Sequence, residues 1–180
     1  ALYYLARMLY AGESLTFIAR RIMICAAEDV GMADPNALTV AVSAAQAVER
    51  IGMPESRIIL AEAVAYVASA PKSNASYLAI DEATAEVEAS GNLPIPTHLQ
   101  DAHYKGAAKL GHGIGYLYAH DYANHYVEQQ YLPYELNGKE FYRPTDNGYE
   151  VKVKEHMKRI KEEAKRAPKP EVDENKADGR

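Results

Sequence analysis

Helix-ending residues recur along this chain at Gly12, Gly31, Gly52, Pro71 and Gly91, roughly every twenty residues, with helix-starting residues just after each of them. That rhythm predicts a helical bundle with short connections. The starts are specific: Asp34 precedes Pro35 and Met53 precedes Pro54, which puts a proline where a first-turn N–H needs no partner. Ser14 and Ser73 are of the N-cap type. The segments between these signals share no residue pattern, so the period reflects helix length and not a solenoid repeat.

Two of the predicted helices carry unusual apolar girth. In "PNALTVAVSAAQAVERI" the polar residues Asn36, Thr39, Ser43, Gln46 and Arg50 form one narrow stripe, and the rest of the cylinder is Ala, Val, Leu and Ile. Such a helix is expected to be surrounded on most sides. The next, "ESRIILAEAVAYVAS", is almost wholly apolar from Ile58 to Ala68, interrupted by Glu62. A helix apolar all round is central in a large core or buried against another chain, so Ile59, Ala63, Val64 and Val67 are candidate oligomer-interface residues. The fifth helix, "SNASYLAIDEATAEVEAS", carries Asp81, Glu82, Glu86 and Glu88 and is expected to show water one face.

After Gly91 the pattern changes. Pro, Gly and Tyr surround one short helical piece expected near Asp101 to Leu110, and "QQYLPYELNGKEFYRPTDNGYE" reads as irregular, with short extended stretches at most. This stretch, 91–149, reads as a wrapping segment over a helical core of residues 1–90, the two together forming a domain of residues 1–150. A charged helix follows, "YEVKVKEHMKRIKEEAKR", to about Arg166, and residues 167–180 have little reason to fold alone. The fold class expected is therefore all-α, a helical bundle with an irregular wrapping segment and a charged C-terminal helix.

Composition narrows the function. With 180 residues, 48% hydrophobic, the chain can bury one sizeable core. Its longest apolar run falls far short of the ~20 residues a membrane span needs. One cysteine, Cys25, excludes a disulfide framework and a thiolate metal cluster, and fits a reducing, cytoplasmic setting. Residues 151–180 hold ten Lys or Arg against seven acids, while residues 1–150 hold ten against eighteen. The body is thus a poor phosphate binder by bulk field, and nucleic-acid contact requires a local basic patch or the tail. The chain also opens at Ala1 on a helix already under way, which suggests a piece of a longer protein.

Four clusters are candidates for chemistry. "LGHGIGYLYAHDYANHY", residues 110–126, concentrates Gly, His and Tyr, yet its glycines lack the spacing of a phosphate cradle and follow a helix, so Leu110 with Gly111 reads as a helix C-cap. His112, His120 and His125, with Asp121, are the ligands a metal hydrolase would use, but no pair has the i,i+4 spacing that sets two ligands on one helix face. His120 and Tyr122 are retained as candidate interaction residues. Ser69 and Lys72 match a serine acyl-enzyme pair by accident, since Pro71 breaks the helix between them. Lys72, Ser73 and Asn74 instead form a possible anion patch at a helix N-terminus, and Arg20 and Arg21 are candidate phosphate contacts. A direct DNA-binding module would use these arginines, Lys72 and the tail.

Read together, "ARMLYAGESLTFIARRIMICAAEDVGMADPNAL", "MPESRIILAEAVAYVASAPKSNASY", "IPTHLQDA", "GYLYAHDY", "QQYLP" and "FYRPTDNGYE" resemble the C-terminal region of the RarA/MgsA proteins, bacterial relatives of the Werner-helicase-interacting ATPase. The resemblance covers residues 1–150 and implies a clamp-loader-type AAA+ ATPase acting at stalled or gapped replication forks. It implies a C-terminal helical region like the collar of clamp loaders, holding a homotetramer together. Partners implied are other copies of the chain, DNA through the full-length protein, and single-stranded-DNA-binding protein, in a cytoplasmic, nucleoid-associated setting with no membrane. The ATP and Mg²⁺ of such a protein belong to residues upstream: no Walker A, Walker B or sensor arginine can be placed here, so no catalytic residue, cofactor or metal ligand is carried over. The resemblance assigns "APKSN" and "GYLYAHDY" no chemistry.

Overall fold

The computed structural model describes residues 1–101, 103, 104 and 106–166. Among them the chain forms six α-helices and no strand: α1 (Leu2–Tyr10), α2 (Leu15–Cys25), α3 (Asn36–Ile51), α4 (Ser56–Ser69), α5 (Ala75–Ser90) and α6 (Glu150–Arg166). The expectation for residues 167–180 lies outside the described residues.

All five stop signals lie just past a helix. Gly12, Gly31, Gly52 and Gly91 have φ between 50° and 76°, which a side chain would resist. The starts are less uniform. Ser14 caps α2 by accepting from the Phe17 N–H at 3.4 Å, and Asp34 accepts from the Asn36 N–H at 3.1 Å with Pro35 behind it. Pro54, by contrast, follows a cis peptide bond in the turn before α4 and not in its first helical turn. Ser73 accepts from Ala75 N–H, one residue earlier than an N-cap, because Asn74 occupies that place. Past Cys25 the α2 ladder widens into a π-helical turn at Ala26–Val30 and tightens again at Gly31–Ala33.

The chain divides into two compact units, residues 1–84 with 141–154, and residues 85–140 with those from Glu155 onward. The first holds one apolar core in which Leu5 of α1, Ile18 and Ile22 of α2, Val48 of α3 and Leu60 of α4 meet. On α3 the buried positions are Ala37, Ala41, Ala44, Ala45 and Val48, spaced for one helix face. Alanines there let α2 and α4 approach α3 closely. The expectation that α3 is surrounded on most sides does not hold within this chain: Leu38 is 43% exposed and Val42 36%. Its contact stripe is the alanine face with Val48, and Leu38 and Val42 point away from it.

In the second unit the helical piece expected near Asp101 to Leu110 is a 3₁₀ turn, Ala107–Leu110, Ala102 and Lys105 lying outside the described residues. Gly111 ends it with φ 76°, and the His112 N–H reaches back to the Ala107 carbonyl at 3.1 Å. That is the six-to-one bond of a Schellman cap, as the sequence indicates.

Candidate functional site

The densest polar arrangement of the first unit lies where the α4–α5 link meets the start of α6. Glu150 is fully buried, and its carboxylate accepts from the Tyr142 hydroxyl at 2.8 Å, the Thr145 N–H at 2.8 Å, the Thr145 hydroxyl at 2.6 Å and the Ser73 hydroxyl. Burial alone would raise its pKa, but the donors outweigh that, Thr145 and Ser73 foremost, and hold it below the usual carboxylate value. Tyr142 answers in the other direction: burial first, then its bond to Glu150, push its phenol well up. Around this knot the backbones touch. Tyr149 N–H donates to the Ala33 carbonyl at 2.7 Å, Ser73 N–H to Asp29 at 2.9 Å, and the Asn147 amide to the Lys72 carbonyl at 3.0 Å. A Cβ on Gly148 would stand 2.1 Å from the Ala33 oxygen, so the approach requires glycine.

This knot changes the reading of the "APKSN" stretch. Lys72 does not present its ammonium to an anion: it donates to the Val67 carbonyl at 2.8 Å and the Ala68 carbonyl at 3.3 Å, and also to Ala70, closing the C-terminal end of α4. Ser73 is 5% exposed and committed to Glu150, and of the two exposed members of the expected patch Lys72 has its ammonium engaged by carbonyls, which leaves Asn74. Ser69 turns its hydroxyl back onto the Ala65 carbonyl at 2.7 Å, away from acyl-transfer geometry. No sequence rule singled out Glu150, although Thr145, Asn147 and Gly148 ahead of it are the residues of a tight turn.

Arg20 and Arg21 are both exposed on α2, Arg20 with its guanidinium 5.3 Å from the Phe17 ring. On α4, Ala63 and Val67 are 1% and 4% exposed and belong to the chain's own core, so they are not available to another subunit. Ile59 and Val64 are half-buried against that core. The large apolar residue that α4 turns outward is Ile58, 60% exposed, and Ala65 and Ala68 are exposed as well.

In the second unit the His- and Tyr-rich run folds largely on itself. His120 lies with its ring centre 4.8 Å from that of His125 and 5.1 Å from that of Tyr118. His112 stands apart, bonded through Nδ1 to the Tyr104 hydroxyl at 2.7 Å, and Tyr122 is half-buried. Among the described residues no group of three or more His, Cys, Asp or Glu side chains is placed to hold a metal ion. Backbone groups here are met by side chains: Gln129 accepts from Leu117 N–H at 3.2 Å and donates to its carbonyl at 2.8 Å, and His98 bonds the Gln130 carbonyl at 2.8 Å.

Residues 1–161 match the family model for the MgsA AAA+ ATPase C terminus. The chain belongs to that family. It is 51% identical over 148 residues to the replication-associated recombination protein A of Bacillus subtilis, a match covering 82% of this chain and 35% of the relative. With the protein of the same name from Escherichia coli it shares 39% over 169 residues, 93% of this chain and 38% of that one. An uncharacterised AAA domain-containing protein of Mycobacterium tuberculosis is 51% identical over 161 residues, 89% of this chain and 36% of its own length. The MgsA C-terminal chain thus spans little more than a third of these relatives, and it is the part that does not carry the ATPase site. No helix among the described residues is long and apolar enough to cross a membrane.

Proposed function

We propose that this chain is the oligomerisation and partner-docking domain of a DNA-dependent AAA+ ATPase that works in replication-fork maintenance and recombination in the cytoplasm, close to the nucleoid. In this reading its helical bundle corresponds to the collar of clamp loaders, four copies assemble through it, and ATP and Mg²⁺ serve a separate domain. The observation that supports it is the apolar surface left uncovered on α3 and α4. Leu38 and Val42 stand one turn apart on α3, and Ile51, Met53 and Ile58, each at least 52% exposed, follow one another through the α3–α4 turn. Single exposed apolar residues are ordinary, but a run of them on adjoining turns is the mark of an interface. Closed symmetry is the usual outcome of such a surface.

Light scattering coupled to size exclusion over a hundredfold dilution tests this. A tetramer is expected, broken by Ile58→Glu with helicity retained. A one-chain mass at every concentration would sink the proposal. DNA contact is assigned to the full-length protein and not to this body, whose excess of acids opposes phosphates. Docking of single-stranded-DNA-binding protein belongs to the same proposal.

A further inference from the structure

The chain has six histidines, and four of them have a ring nitrogen engaged. His98 bonds the Gln130 carbonyl, His103 the Asp101 carboxylate and His112 the Tyr104 hydroxyl, and His156 lies 3.2 Å from the Arg159 guanidinium. His120 and His125 differ. Both are exposed, and among the described residues neither ring makes a hydrogen bond or an ion pair. Their rings meet each other instead, with centres 4.8 Å apart and planes inclined at 47°, and His120 also meets the ring of Tyr118. All three lie in the second unit, in the His- and Tyr-rich run to which neither the bundle nor its assembly gives a role.

The backbone brings the two rings together at a cost. Two successive tight turns, Ala119–Asp121 and Ala123–His125, are closed by the Tyr122 N–H on the Ala119 carbonyl and the His125 N–H on the Tyr122 carbonyl, each at 3.1 Å. Within the second turn Asn124 and His125 have φ of 56° and 53°, consecutive left-handed residues without a glycine. Such backbone is unfavourable for side chains and persists where its surroundings hold it. Here the Asn124 side-chain amide donates to Glu163 of α6. The strained turn therefore has a fixed place, and its result is a pair of exposed imidazoles side by side.

The spacing of the rings fits a shared ion. A zinc or copper ion stands ~2.0–2.1 Å from an imidazole nitrogen, which puts the ring centre about 3.2 Å from it, and two such rings meeting at about 90° to 109° have centres roughly 4.5–5.2 Å apart. The observed 4.8 Å lies inside that range. Ring packing alone allows the same distance, but it does not require both rings to keep their nitrogens unbonded. Charge acts in the same direction, since residues 85–140 hold seven acids against three bases and draw cations toward this unit. We propose that His120 and His125 together chelate one divalent transition-metal ion of the zinc and copper class, through one ring nitrogen each, with water completing its coordination. Imidazole is the ligand such ions prefer, whereas Mg²⁺ and Ca²⁺ take oxygen. His112 stands apart on Tyr104, and no third His, Cys, Asp or Glu among the described residues is placed to join the pair. The site thus lacks the three protein ligands of a hydrolytic zinc centre, and its chemistry is capture of the ion and fastening of the two turns to each other.

The test titrates Cu²⁺ into the untagged 180-residue chain and reads electron paramagnetic resonance. One ion per chain is expected, with hyperfine coupling to two imidazole nitrogens. A variant carrying both His120→Ala and His125→Ala sets the background of the amino end and the other four histidines. The unaltered chain is expected to bind at least about tenfold more tightly than that background, because copper is the ion imidazole pairs hold best. Either single change should bring binding down to the background and remove the two-nitrogen signature, while His103→Ala leaves both unchanged. Both rings are exposed, so these variants keep the fold, which circular dichroism checks. Added Zn²⁺ should shift the imidazole proton signals of His120 and His125 and spare those of His98 and His112. Binding no tighter than the double variant, a two-nitrogen signature that survives either single change, or Zn²⁺ shifts spread over all six histidines overturns the proposal. An endpoint of half an ion per chain, with the mass doubled in light scattering, overturns it as well, since the ion would then join two chains.

Discussion

In the first unit buried side chains from Leu5 to Val67 form one continuous apolar cluster, and the backbone is satisfied by helical ladders. In the second, the apolar side chains buried among the described residues are Pro96, Ala107 and Val127, and between α5 and α6 the backbone is satisfied by short turns, supplemented by the side chains of Gln100, Gln129, Gln130 and His98. The contrast follows from what each sequence can supply. An Ala-, Ile- and Val-rich stretch can form long ladders and bury one face, while a Gly-, Pro- and Tyr-rich stretch breaks every ladder within a turn and must find acceptors and donors locally. Stability should therefore be carried by packing in one unit and by individual polar contacts in the other.

The largest test of that contrast is Leu60→Ala, which empties a site with 0% exposure. It is expected to cost about 2–5 kcal/mol in urea unfolding, with the whole first unit affected together. If Val127→Ala, at 5% exposure in the second unit, costs as much globally, the contrast is wrong. Next comes Glu150→Gln. It trades an ionised acceptor with four hydrogen bonds for an amide that must turn one NH₂ toward a donor, at about 2–3 kcal/mol near neutral pH. The sign with pH is fixed by direction. Because the folded-state pKa lies below the ordinary 4.5, the carboxylate's contribution is complete above that value and is lost as pH falls through the folded-state pKa. Urea midpoints of the two proteins should accordingly converge in acid, and a gap that widens there would refute the clasp.

A smaller effect is expected in the second unit. Gln129→Ala removes the pair of bonds to Leu117, and hydrogen exchange should quicken at Leu117 while α3 and α4 stay protected, at about 1 kcal/mol of local opening. Smallest of all is Lys154→Ala. Its partner Asp146 is 81% exposed, and the pair should be worth less than about 0.5 kcal/mol by the same urea measurement.

The sequence announced the helix ends well, because a glycine at positive φ or a proline past the last turn acts within one or two residues and needs no tertiary information. It was a poorer guide to helix faces. From Ile58 to Ala68 nearly every side chain is apolar, so nothing local distinguishes Ala63 and Val67, which turn inward, from Ile58, which does not. The roles of Lys72 and Glu150 were not legible for a related reason. An ammonium ahead of one helix was assigned to that helix when it closes the preceding one, and a glutamate heading a helix rich in Lys and Glu looks like any solvated charge until Ser73, distant in sequence, is brought beside it. The same holds for His120 and His125, which meet because Asn124 and His125 both adopt positive φ, a choice no spacing rule favours.

The contact of Gly148 with Ala33 bears on the order in which the molecule can be made. Residues 141–154 belong to the first unit, yet they are synthesised only after all of 85–140. During translation the early helices must therefore wait, with Ser73 and the Ala33 carbonyl unanswered, until Glu150 and Tyr149 emerge. A ribosome stalled near residue 140 would hold a bundle whose helices are complete and whose fastening is not, which makes the interval between those two points the period in which a nascent chain of this family most needs protection from proteolysis.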